Sequence, residues 1–173
     1  NTVLQDLIHC AKQAVEAIGK SFTEPDDDWR ATVLAGRQGH ADILDIQEFM
    51  KDHDSKNELV LIFPRLFARS KPTAAVMVSS CWIRYIDPTH TFADVEIGLM
   101  NQFVVRNDPK REEIILIQGA DKTNLVTFQA KILRHKDKPP TLGEWEEIKE
   151  DHGEGRFHNL LQKVLTETNK GSR

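Results

Sequence analysis

The chain has 173 residues, 39% hydrophobic and 29% charged, with 27 acidic against 23 basic side chains and a formal net charge of -4. These figures exclude a disordered chain and a disulfide-stapled miniature, and they fit one domain spanning residues 1–173. They offer no broad positive surface for a phosphate backbone, which sets nucleic acid behind protein among the expected partners.

The two cysteines, Cys10 and Cys81, fall in apolar-patterned runs and read as small buried hydrophobes in a reducing compartment. No stretch approaches the roughly 20 apolar residues of a membrane span, and residues 1–20 lack a basic-then-apolar leader pattern, so a cytoplasmic protein without membrane contact is expected.

In chain order, Val3, Leu4, Leu7, Ile8, Ala11, Ala14, Val15 and Ile18 recur at helical spacing, with Gly19 as a stop. Residues 21–29, containing Asp26-Asp27-Asp28, read as an acidic linker. "RATVLAG" and "HADILDI" read as two strands joined by a tight loop around Gly36 to Gly39, with His40 and Asp42 on one strand face, where both can point into a groove. A helix over about 55–68, kinked near Pro64, competes with a short strand at "ELVLIF" followed by a helix from Pro64 to Ser70.

Residues 73–86 lack glycine and proline and are rich in β-branched side chains, which predicts a long central strand with Val78 and Trp82 on one face and Met77 and Cys81 on the other. Asp87-Pro88 ends it and opens an irregular region over 87–110. "REEIILIQG" and "NLVTFQAKILR" form an antiparallel hairpin, with Thr127, Gln129 and Lys131 expected on a solvated face. Beyond Pro139-Pro140, Leu142, Trp145 and Ile148 anchor a short docked segment, and Phe157, Leu160, Leu161, Val164 and Leu165 give a second amphipathic helix. Residues 171–173 read as a flexible tail.

The order of elements predicts an α+β fold: a mostly antiparallel sheet of about five strands with amphipathic helices packed on it.

Three groupings carry candidate chemistry. In "DPTHTFADVE", His90, Asp94 and Glu96 share a face as a strand, and His90 and Asp94 lie one turn apart as a helix, so an imidazole and a carboxylate meet in either phasing. In "DHGEGRFH", His152, Glu154 and His158 surround two glycines. Together the two groupings supply the donors of a divalent-metal site, although neither contains an established metal-binding spacing. The third grouping is basic: Arg106, Lys110 and Arg111 precede the hairpin and Arg134 and Lys136 follow it, which makes an anion-contacting edge if the strand ends meet.

No nucleophile elbow or phosphate-binding loop is present; Ser79, Ser80 and Cys81 lie in a strand-like run. The leading expectation is a soluble, non-enzymatic accessory or protein-interaction domain without a cofactor, its terminal helices contributing to a homo-oligomer or a partner contact. The alternative is a divalent-metal-dependent hydrolase built on the His/Asp/Glu groupings.

Overall fold

The computed structural model describes residues 2–83, 111–149 and 161–167. Helix α1 spans Val3–Ser21 and opens on a reciprocal cap: Thr2 Oγ1 accepts from the Gln5 amide, and Gln5 Oε1 accepts from the Thr2 amide, both at 3.1 Å. It buries Leu4, Leu7, Ile8, Ala11 and Val15. The buried stripe is narrower than expected, since Ala14 and Ile18 are exposed. Cys10 is also exposed, contrary to expectation, because successive helical residues step by about 100° and position 10 falls far from the line of buried residues.

The last turn of α1 is anchored by Trp29, whose Nε1 donates to the Val15 carbonyl at 2.8 Å and whose ring meets Phe22 edge-on at 4.7 Å. Gly19 allows that approach: a Cβ there would lie 2.8 Å from the Trp29 ring. Within the acidic run, Asp27 Oδ2 accepts from the Thr23 and Glu24 amides at 2.8 and 2.9 Å.

Strands β1 (Thr32–Arg37) and β2 (His40–Asp45) form an antiparallel hairpin closed by Gln38 and Gly39. Gly39 has φ +76°, a conformation that side-chain-bearing residues rarely adopt. A 3-10 turn, Gln47–Met50, leads to helix α2, His53–Ser70, capped by Asp52 Oδ1 on the Ser55 amide at 2.7 Å.

The strand alternative at "ELVLIF" does not occur, and the helix runs through Pro64. An interior proline costs about 3 kcal/mol, whereas full burial of a large apolar side chain contributes roughly 1.5–3 kcal/mol. Leu59, Phe63 and Phe67 are all fully buried, so packing outweighs the lost hydrogen bond.

Strands β3 (Ala74–Ile83), β4 (Glu112–Asp121) and β5 (Leu125–Leu133) complete the long strands, and β6 (Thr141–Leu142) and β7 (Glu146–Glu147) are two-residue additions. The order is β2-β1-β3-β4-β5-β6, with β7 also paired to β5 and every pairing antiparallel. This is an α+β fold with a curled antiparallel sheet of six to seven strands and three packed helices, the third being the helical residues 161–167, α3.

Strand alternation divides the core in two. Val76, Val78, Ile115, Ile117 and Ile132 cluster with α1, whereas Val33, Ala35, Ala75 and Met77 cluster with α2 and with Leu161, Val164 and Leu165 of α3. Helices on both faces explain one correction: Thr127 and Gln129, expected in water, are only 6% and 8% exposed. Alternating polarity predicts a wet face only where nothing packs there. Leu142 and Trp145 dock on the α1 cluster as expected, and Trp145 Nε1 donates to Glu16 at 3.0 Å.

Candidate functional site

His90, Asp94, Glu96, His152, Glu154 and His158 lie outside the described residues, as does the expected irregular region over 87–110. Among the described residues, no group of three or more His, Cys, Asp and Glu side chains gathers as a metal site would need. The 171–173 tail is likewise outside them.

Of the basic grouping, Arg106 and Lys110 lie outside the described residues, and Lys136 is exposed in the loop after β5. Arg111 and Arg134 do come together, because antiparallel pairing of β4 with β5 brings the start of one to the end of the other. They line a basin of about 480 Å³ with Trp82, Glu112, Glu113 and Lys131.

Most of that basin's positive charge is already matched. Arg134 forms a forked pair with Glu113 at 2.7 and 2.9 Å, reaches Asp28 at 3.2 Å, and donates to the Asp27 carbonyl at 2.8 Å. Lys131 pairs with Glu112 at 3.2 Å. Arg111 lies 4.4 Å over the Trp82 ring, a cation–π contact, and makes no ion pair among the described residues. Arg134 therefore acts as a structural tie from the sheet to the acidic run, and the basin is close to electrically balanced.

The Cys81 thiol is pushed up to about 11, by burial first and by the Glu113 charge second. At neutral pH it is protonated and is a poor nucleophile.

A second concavity lies on the α2 face at the sheet's outer edge. Between β1, β2 and the last turns of α2, a groove of about 490 Å³ is lined by residues including Arg37, His40, Asp42, Leu44, Leu66 and Arg69. The hairpin register places Arg37 opposite His40, and the Thr73 amide donates to the Gly36 carbonyl at 2.8 Å, which brings the end of α2 to the same corner. His40 Nε2 and Asp42 Oδ1 are 3.0 Å apart, so the histidine and carboxylate expected to share a face do meet in a groove.

Arg37 and Arg69 make no ion pair among the described residues, so the groove carries two guanidiniums against the single carboxylate of Asp42 among its described lining, in a chain that is negative overall. Sequence reasoning missed both. They are far apart in the chain and carry no shared motif; only the strand order and the path of α2 bring them together.

The groove opens beside an unpaired strand edge, since β2 ends the sheet order among the described residues. The Ile46 amide donates to the Ala31 carbonyl at 3.0 Å, continuing the hairpin register. Even-numbered residues of β2 therefore bond inward to β1, and Ala41, Ile43 and Asp45 direct their backbone N–H and C=O outward. Ile43 is 72% exposed at the centre of that edge.

No helix among the described residues is long and apolar enough to cross a membrane. No protein-family model, curated protein or solved structure matches the chain.

Proposed function

We propose that this chain is a non-enzymatic interaction domain that holds a protein partner at the outer edge of its sheet. The observation that carries this reading is the groove between β2 and α2, where Arg37 and Arg69, without an ion pair among the described residues, lie beside a strand edge that no described strand covers and that is centred on an exposed isoleucine. An unsatisfied row of backbone donors and acceptors is a template for another strand unless it is blunted.

The expected contribution of the terminal helices to association finds no support in their packing. Their apolar faces are used inside the chain: Leu4, Leu7, Ile8, Ala11 and Val15 of α1 and Leu161, Val164 and Leu165 of α3 are buried against the sheet. Exposing them to a partner would compete with folding.

The test pairs metal analysis of the purified chain with hydrolysis assays on phosphate-ester and carboxyl-ester substrates in added zinc, manganese and magnesium. The reading predicts no stoichiometric metal and no turnover. Metal bound in stoichiometric amount, with hydrolysis that disappears in His90→Ala and His158→Ala, would establish the hydrolase instead.

A further inference from the structure

We infer that the β2–α2 groove takes an extended, acidic segment of a different protein, added to β2 as an outer strand with its carboxylates on Arg37 and Arg69. This rests on the interaction reading above and names the partner's chemistry and its mode of docking.

Three observations converge on it. The outward backbone groups of Ala41, Ile43 and Asp45 supply the hydrogen bonds that a strand-adding peptide uses for affinity. A strand laid there runs along the mouth of the groove, so alternate side chains face Leu44 and Leu66. At the hairpin end the groove is basic: among its described lining residues, Arg37 and Arg69 face the one carboxylate of Asp42, which also meets His40, and neither arginine forms an ion pair. Apolar residues followed by acidic ones therefore match the groove along its length.

A second copy of this chain fits less well than a separate partner. Pairing two β2 edges would bring up only carboxylates already in use, because Asp42 is held by His40 and Asp45 accepts from Arg30 Nε at 2.7 Å. Such a pairing would bring no further carboxylate from β2 to Arg37 and Arg69.

The test uses the full chain and two fluorescent probes: an acetylated peptide of alternating valine and threonine ending in glutamates, and the same peptide ending in lysines. The glutamate peptide is expected to bind roughly tenfold more tightly than the lysine one, with an affinity that falls as salt is raised. The double variant R37E/R69E, altered only at exposed positions, should reverse that preference. Ile43→Pro should abolish binding of both peptides, since residue 43 offers its N–H outward and proline is tolerated on an edge strand without loss of the β1–β2 ladder.

Failure of both peptides to bind, equal binding of the two, or binding untouched by Ile43→Pro would overturn the inference, as would a dimer that Ile43→Pro dissolves. The metal and hydrolysis assays are independent of these outcomes: they decide whether the chain is a metal-dependent hydrolase, and the peptides decide whether a partner adds to this edge.

Discussion

His40 Nε2 lies 3.0 Å from Asp42 Oδ1 across one face of β2, and this carboxylate, the one among the described residues lining the β2–α2 groove, offsets part of the positive charge of Arg37 and Arg69. Asp42→Asn removes that negative charge without altering the strand edge. The glutamate-ended peptide should then bind roughly threefold more tightly at low salt, with the gain shrinking at high salt as screening increases. Fluorescence titration at two ionic strengths checks both parts.

The two cysteines should separate cleanly in reactivity. Cys10 is exposed on α1, whereas Cys81 is partly buried with its thiol raised to about 11. The raised value means that the fold favours the neutral thiol, and only thiolate reacts. Iodoacetamide followed by mass spectrometry should modify Cys10 first, with Cys81 labelling only as the pH climbs toward that value. Equal rates at neutral pH would contradict the burial of Cys81.

Helix α2 carries a removable cost. Pro64 is exposed and has no N–H for the Val60 carbonyl, so Pro64→Ala should stabilise the chain by about 1–3 kcal/mol. Phe63→Ala next to it should destabilise by about 3–5 kcal/mol, because that ring is fully buried and stacks on Phe67 at a centroid distance of 5.6 Å. Urea unfolding of the two variants measures opposite signs from adjacent positions.

Asp27 gives the acid limb of stability a defined sign. Amide donation from Glu24 and Thr23 holds its carboxyl below the ordinary value of 3.8. The ionised form is favoured in the fold, so the stability it gives is complete above 3.8 and is lost as pH falls through the lower folded value. Asp27→Ala should be less stable than the parent at neutral pH, and the gap should close in strong acid. Thermal melts across that range would show a constant gap if the carboxylate contributed nothing.

What the sequence revealed follows from the range of the interactions involved. The helix beginning at Val3, the hairpin around Gly39 and the pairing of β4 with β5 were legible because spacing and turn chemistry act over a few residues. The burial of Thr127 and Gln129 was not, because it depends on a helical layer on the second sheet face, which strand alternation does not encode. The candidate site was half legible. His40 and Asp42 are two apart on one strand, so alternation allows them to point together, and the antiparallel hairpin allows the ends that carry Arg111 and Arg134 to meet. Arg37 and Arg69 come together only through the tertiary path of α2 back to the sheet, so no local pattern could join them.

Residue-resolved amide hydrogen exchange along β2 tests the open edge most directly. In the free chain the Ala41, Ile43 and Asp45 amides should exchange fast while Asp42 and Leu44 are protected by β1, and saturating glutamate-ended peptide should slow the Ile43 amide sharply. An Ile43 amide already protected in the free chain, or one whose exchange is unchanged by bound peptide, would contradict strand addition at this edge.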